Sequence, residues 1–281
     1  MRRSLLLLAL AGCTHSPRAA SAPTSAGRYS LDAIRFGTLA NFPVRGLVAG
    51  ADSARRMDVA VMVWALRNGS GKSVLVDAGF HREKFLTQWK PRDFVLPSEA
   101  VRQAGIDPND VSDIIISHIH WDHADGVDLF PNARVWLQRE EFNYYVGANG
   151  EALKPAIDPD VSAMFRRLFA DGRVRLVDGN NREILPGIRV YTGGKHTWAS
   201  QFVGVQLTGG GTAVVASDNA YLYENLRGHR PIAQTLDSLS NLRAQAQMMS
   251  IASDPRLVVP GHDPLLFTTF PTPGNGVAHI H

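Results

Sequence analysis

The sequence predicts an α/β layered domain, with helices packed over sheets. Three observations lead there. Apolar runs of strand length alternate along the chain with segments whose apolar residues recur at helical spacing. Glycine-rich turns join neighbouring runs as hairpins. The composition is that of a globular protein, 44% hydrophobic and 20% charged over 281 residues, a length near the upper end of what one core holds. There is no internal repeat of solenoid period.

The elements follow in order. Arg2 and Arg3 precede a short leucine run and small residues, the order of a secretory leader over residues 1–12. The run is too short to span a bilayer as a helix. Leu10-Ala11-Gly12-Cys13 is similar to the bacterial lipobox, in which the cysteine is acylated and becomes the mature N-terminus. Cys13 is the sole cysteine, so disulfides within one chain are excluded. The expected protein is exported, a periplasmic or outer-membrane lipoprotein of a bacterium; Thr14 after the cysteine, rather than Asp, leans towards the outer membrane. Residues 13–28, rich in Ser, Ala, Pro and Thr, read as a flexible tether. The folded domain is expected over residues 29–270, followed by a C-terminal tail, 271–281.

Within the domain, Val59–Leu66 and Ser73–Val76 read as strands joined at Asn68-Gly69-Ser70-Gly71. Pro97–Gly105 reads as a helix closed by its glycine. Val111–Ser117 is a buried strand, Arg134–Leu137 another, and Arg139–Tyr145 and Val161–Phe169 are helices. Val174–Val177, Ile184–Thr192, Phe202–Thr208 and Thr212–Ala216 read as strands, the last two joined at Gly209-Gly210-Gly211. Gln234–Met249 is a longer helix and Arg256–Pro260 a last strand.

Chemistry concentrates directly after the Val111–Ser117 strand, in His118-Ile119-His120-Trp121-Asp122-His123. Imidazole and carboxylate are natural ligands of zinc-like divalent ions. Alternation in an extended segment puts His118 and His120 on one side. Asp122 and His123 follow as the chain turns, so one loop can serve two neighbouring positions. Two ions need more ligands than one loop supplies. His196, Asp218 and His262 each stand just past a predicted strand and have the right character. His15, His81, His229, His279 and His281 are read as non-ligands. Trp64, Trp121, Trp198, Phe142 and Tyr145 are candidates to line a pocket, although an aromatic is more often core. The formal net charge is +3, and +1 once Arg2 and Arg3 are removed; with no Lys/Arg run, nothing provides a footprint for nucleic acid.

The pattern His-x-His-x-Asp-His, followed at a distance by His196, Asp218 and His262, resembles the motif set of the metallo-β-lactamase superfamily. Within it the chain most resembles the N-acyl-homoserine lactonases, from about Val59 to Asp263. Matching pieces include Leu75-Val76-Asp77-Ala78-Gly79, Val135-Trp136-Leu137-Gln138-Arg139-Glu140-Glu141-Phe142 and Leu185-Pro186-Gly187-Ile188. The resemblance implies an αββα sandwich. It implies that His118, His120 and His196 hold one metal, that Asp122, His123 and His262 hold the other, and that Asp218 bridges them. It makes Asp77 an orienting residue beside the ligands and places Tyr221, three residues after Asp218, in the active site. Related enzymes are often dimers, so a homodimer is a possible assembly. Two departures stand out. The family's usual Thr-Pro-Gly-His is here Thr192-Gly193-Gly194-Lys195-His196, and many lactonases of this type are cytosolic.

The expected chemistry is hydrolysis of a small ester or lactone by two divalent ions, Zn first, with Mn, Fe, Co or Ni also compatible with nitrogen and oxygen ligands. Ions about 3.5–4 Å apart share a hydroxide that attacks the lactone carbonyl. Tyr221 stabilises the oxyanion and Asp122 passes a proton to the leaving alkoxide. No Gly-x-Ser-x-Gly elbow supports a serine mechanism. Among rivals, β-lactamases with a cysteine ligand are excluded by the cysteine count, and those with His and Asp ligands usually lack a bridging carboxylate. A phosphotriester or aryl-ester hydrolase would use the same metals. A glyoxalase-II-like thioesterase would need a basic C-terminal helical region, and a nuclease a basic cleft. A metal-binding surface lipoprotein without catalysis is the alternative of another class.

Overall fold

Strand β2 (Arg56–Arg67) shows how the layers arise. Its side chains alternate between two cores, as a pleated strand requires. Val59, Val61, Val63 and Ala65 join one hydrophobic cluster, with Val101 and Phe165 of the covering helices. Ala60, Met62, Trp64 and Leu66 join the other, with Val203, Val205 and Val214 of the second sheet. Trp64 is wholly buried in this inter-sheet core and is no pocket residue.

The computed structural model describes residues 27–274 and 276–281. The leader, Cys13 and the tether up to residue 26 lie outside the described residues. In chain order the strands are β1 (Ser30–Pro43), β2, β3 (Ser73–Val76), β4 (Val111–Ile115), β5 (Arg134–Gln138), β6 (Val174–Val177), β7 (Arg182–Leu185), β8 (Ile188–Thr192), β9 (Gln201–Gln206), β10 (Thr212–Ser217), β11 (Val258–Pro260) and β12 (Val277–Ile280). A seven-stranded sheet runs β12-β1-β2-β3-β4-β5-β6, and a five-stranded sheet runs β11-β10-β9-β8-β7. The helices are α1 (Glu83–Trp89), α2 (Pro97–Gln103), α3 (Trp121–Ala124), α4 (Arg139–Tyr145), α5 (Pro159–Ala170), α6 (Tyr223–Arg227), α7 (Ser238–Ile251) and α8 (Leu266–Thr269). α2 and α5 bury Val101 and Phe165 against the larger sheet, and α7 buries Ala244 and Met248 on the side of the smaller one. The result is an αββα sandwich.

Several elements differ from expectation. The run expected as one strand over Ile184–Thr192 is a hairpin, because Pro186-Gly187 turns the chain with Gly187 at φ +76° and Leu185 pairs Ile188. The helix expected from Gln234 starts at Ser238, where the Asp237 carboxylate accepts the N–H groups of Leu239 and Ser240. Residues before it are held extended, with Ala49 N–H donating to Pro231 O and Ala233 N–H to Leu47 O. The expected C-terminal tail contains β12, which pairs antiparallel with β1, Leu31 opposite Ile280. β1 itself was not foreseen.

β3 and β4 are parallel, as are β10 and β11, while β8 and β10 both run antiparallel to β9. The C-terminal ends of β3, β4, β8, β10 and β11 therefore share one edge of the sandwich. Two hydrogen bonds tie the sheets there, Gln201 N–H to Ser117 O at 2.7 Å and Ala60 N–H to His262 O at 3.0 Å.

Candidate metal centre

The loops leaving those strand ends are fixed by close backbone contacts. Ala78 N–H donates to His123 O at 2.7 Å, and Gly126 N–H to Gly79 O at 2.8 Å. A Cβ at Gly126 would stand 2.2 Å from Ala78 O, so glycine alone lets the histidine loop lie on the Asp77 loop. Asp77, Lys195 and Ser217 all adopt positive φ although none is glycine. Such conformations cost about 1–3 kcal/mol each and persist where the surroundings enforce them, often at functional sites.

The structure brings all seven predicted ligand residues together, in two groups whose ligand atoms lie within 4.8 Å of one another: His118, His120 and His196; then Asp122, His123, Asp218 and His262. In the first, His118 Nε2, His120 Nδ1 and His196 Nε2 are 3.0–3.1 Å apart. Asp218 divides its carboxylate between the groups. Oδ2 is 3.4 Å from His196 Nε2 and 3.8 Å from His118 Nε2; Oδ1 is 3.0 Å from His262 Nε2 and 3.3 Å from His123 Nε2. Asp122 Oδ2 is 3.5 Å from His123 Nε2 and 3.8 Å from His262 Nε2.

The protons of these rings are held on the far side. His196 Nδ1 donates to Gln234 O at 2.8 Å, His262 Nδ1 to Ala60 O at 2.9 Å and His123 Nδ1 to Asp77 Oδ2 at 2.8 Å. Ser117 Oγ donates to Asp77 Oδ2 and accepts from His118 Nδ1 at 3.0 Å. Four Nε2 lone pairs thus face inward, where imidazoles donating to one another would need protons. His123 Nε2 and Asp218 Oδ1, both buried, have no hydrogen-bond partner among the described residues. Converging lone pairs and carboxylate oxygens with no proton between them fit divalent cations, in two adjacent positions.

Electrostatics agree. Burial, with repulsion from neighbouring imidazoles, holds His118 well below its usual pKa and His120 at about 3; burial also lowers His196. The shift favours the neutral imidazole, the form that ligates a metal. At His123 and His262 burial opposes charge, but the carboxylates, Asp218 foremost, outweigh it and raise both pKa values. That corner draws positive charge, which a cation would supply in place of protons.

Asp77 stands beside the two groups, accepting Ser117 N–H, Ser117 Oγ–H, Ser217 Oγ–H and His123 Nδ1–H at 2.8–3.0 Å. Tyr221 is buried, with its hydroxyl 3.3 Å from His196 Nδ1. That nitrogen's proton goes chiefly to Gln234 O, so the phenol accepts weakly and keeps its own proton to give. Burial, then Asp218 and Asp122, push its pKa well above 10. Inserting Lys195 into the family's shorter loop leaves His196 in the first group; Gly194 N–H is held by Asn219 Oδ1 at 2.7 Å.

The metal groups floor a cavity of about 220 Å³ whose apolar wall includes Leu39, Phe42, Leu47, Val59, Trp89 and Trp121. Of the five aromatics considered from sequence, Trp121 lines it. Phe142 and Tyr145 are on the buried face of α4, and Trp198 is exposed beside the mouth. Trp89 and Phe42 were not foreseen. Neither was Glu141, wholly buried, whose two oxygens accept Ile119 N–H at 3.2 Å and Ala199 N–H at 2.7 Å, stapling the histidine loop to the His196 loop. Burial pushes its carboxyl up to about 7. Of the histidines read as non-ligands, His81 bonds Asp128, His229 bonds Leu242 O and His279 bonds Asp32, all outside the two groups; His15 lies outside the described residues.

A model of the Metallo-beta-lactamase superfamily matches residues 56–262. N-acyl homoserine lactonase AiiB of Agrobacterium fabrum is 30% identical over 156 residues, 49% of this chain and 54% of that enzyme, so the match spans about half of that relative. N-acyl homoserine lactonase AiiA of Bacillus thuringiensis subsp. kurstaki is 24% identical over 245 residues, 85% of this chain and 90% of that enzyme. Among solved structures, an N-acyl homoserine lactone hydrolase with N-hexanoyl-L-homoserine bound at its catalytic metal centre superposes with a TM-score of 0.67 at 18% identity, covering 86% of this chain and 96% of that one. AidC, a dizinc quorum-quenching lactonase, gives 0.63 at 15% identity, covering 91% and 95%. These structural likenesses speak to the fold.

Proposed function

The chain belongs to the metallo-beta-lactamase superfamily, and on that premise we propose that it is a dinuclear metal-dependent hydrolase that opens the lactone ring of N-acyl-homoserine lactones. The observation that carries this is the divided Asp218 carboxylate, one oxygen towards each ligand group, on the floor of an apolar cavity. His118, His120 and His196 would hold one cation, and Asp122, His123 and His262 the other. Divalent cations supply a nucleophile from water near neutral pH and polarise a carbonyl; Zn suits these ligands, as do Mn, Fe, Co and Ni.

The chain's own groups do the rest. Gln234 O, Ala60 O and Asp77 hold three imidazoles in one tautomer. Tyr221 donates its retained proton to oxygen charge developing at the carbonyl, where a positioned donor is worth about 10²–10³ in rate. Asp122, at the cavity wall, takes up the proton released by the attacking water and passes it to the leaving alkoxide. The apolar wall suits an acyl chain and excludes water. Among the described residues no Lys or Arg lines the cavity, which favours a neutral lactone over an anionic β-lactam, a glutathione thioester or nucleic acid. A neutral phosphotriester or aryl ester would also fit, and is the second reading.

The test is a panel of acyl-homoserine lactones, a cephalosporin and a phosphotriester, assayed before and after chelation. Lactone turnover that chelation and His118→Ala both abolish is expected. Metal-independent turnover, or a preference for the phosphotriester, overturns the assignment. We propose in addition that the leader directs export and that Cys13 is acylated. Cys13→Ser should then abolish incorporation of labelled palmitate into the protein, and undiminished labelling would refute acylation.

A further inference from the structure

Four large apolar side chains are exposed beside the cavity: Leu153 (45%), Trp198 (39%), Leu236 (63%) and Leu239 (64%). They form one patch. Leu153 N–H donates to Tyr145 O at 2.9 Å, Trp198 N–H to Tyr145 Oη at 3.2 Å, and Leu236 N–H to Lys195 O at 2.8 Å, with Leu239 one helical turn further on. The patch borders the mouth, since Ala156, His196 and Gln234 line the cavity.

Cations are built into the same patch. Trp198 stacks on Tyr144 at 4.3 Å, Lys195 Nζ lies 4.5 Å from the Trp198 ring centre and Lys154 Nζ 4.9 Å from that of Tyr144. Each ring of this two-ring stack therefore has an ammonium group over it. Exposed Arg45 and Lys90 stand three residues and one residue along the chain from the half-buried Phe42 and Trp89 of the cavity wall. No ion pair engages any of these four cations among the described residues. Asp237, between the two leucines, has its carboxylate turned to the N–H groups of Leu239 and Ser240.

We propose that this rim is a docking surface for an anionic lipid bilayer, which seats the cavity mouth on the membrane and delivers acyl-chain substrates from it. Exposed leucines and tryptophan bury in the headgroup region, and uncompensated Lys and Arg are drawn to an anionic leaflet. A second copy is a poorer occupant, because two-fold pairing would set the same cations face to face. The proposal rests on the lactonase reading only for what is delivered.

The test uses the full chain with Cys13→Ser, so that no acyl anchor contributes, and vesicles of phosphatidylcholine with and without phosphatidylglycerol. Co-sedimentation is expected with the phosphatidylglycerol vesicles. Lys154→Glu, a change of two charges, should weaken it about 30-fold, at roughly fivefold per charge. Leu236→Ser and Leu239→Ser should each weaken it about tenfold. Hydrolysis of a short, water-soluble acyl lactone should stay at the parent rate in all three, which separates this proposal from the lactonase assignment. No vesicle binding by the parent, equal binding by parent and variants, or a parent dimer that the leucine variants dissociate would each overturn it.

Discussion

Replacing Tyr221 by phenylalanine removes one atom whose two possible roles differ in consequence. If the hydroxyl mainly supports His196, its loss should release metal; if it mainly serves the substrate, its loss should slow turnover with metal retained. Geometry decides for the second. His196 Nδ1 keeps its strong bond to Gln234 O at 2.8 Å, and the contact to Tyr221 at 3.3 Å is the weaker of the two. The structural cost is about 0.5–1 kcal/mol, within the net worth of one ordinary hydrogen bond. The catalytic cost is that of a positioned donor to an oxyanion, about 2.7–4 kcal/mol or 10²–10³ in kcat. Because the interaction strengthens in the transition state, kcat and kcat/KM should fall together with KM little changed. Burial and two carboxylates hold the phenol protonated well above pH 10, so the wild-type pH profile should show no limb from it. Steady-state kinetics with metal content by elemental analysis form the assay. Loss of metal in parallel with kcat, or an unchanged kcat, would refute the reasoning.

Three further outcomes are expected. Asp77→Asn sets an amide N–H₂ against groups that all donate to this carboxylate, and should weaken metal affinity about 10–100-fold, read by competition with a chelator; unchanged affinity would deny it an orienting role. Glu141 is a buried carboxyl raised from 4.5 to about 7, so the native state keeps a proton that the unfolded state loses, and in the metal-free protein stability should decline from pH 4.5 to about 7 and then level off. Two and a half pH units correspond to at most about 3 kcal/mol; Glu141→Gln turns an amide N–H₂ towards one of the two backbone N–H groups, so it should be less stable than wild type near pH 4.5, with a gap that narrows by up to that amount by pH 8, and a pH dependence parallel to that of wild type would contradict this. Gly126→Ala drives a Cβ to 2.2 Å from Ala78 O, a backbone atom that cannot swing aside, and should cost about 1–3 kcal/mol with reduced metal content, whereas a wild-type denaturation midpoint would show that the loops can separate freely.

The metal groups were legible because four ligand-type residues crowd into six positions, and because His196, Asp218 and His262 each follow an apolar strand. Three of those strands end at the same edge, which follows from parallel pairing and no single segment reveals. Glu141 lay in view within a matching segment, but its role depends on Ile119 and Ala199, far off in sequence. Ser117 and Ser217 were silent for the same reason, being hydroxyls whose value lies in reaching Asp77. β1 escaped notice because Gly37, Arg35 and Asn41 interrupt its pattern, with register shifts where it bulges. β12 is four residues long and has no signal without its partner. Trp64 shows the opposite error: composition cannot distinguish a tryptophan lining a cleft from one filling the space between sheets.

The pairing of Leu31 with Ile280, reinforced by His279 on Asp32 at 2.5 Å, makes the first described strand wait for the last. β1 also carries Leu39 and Phe42 to the cavity wall. During synthesis that border of the larger sheet stays unclosed until Val277–Ile280 has emerged, a long loop-closure step that slows cooperative folding.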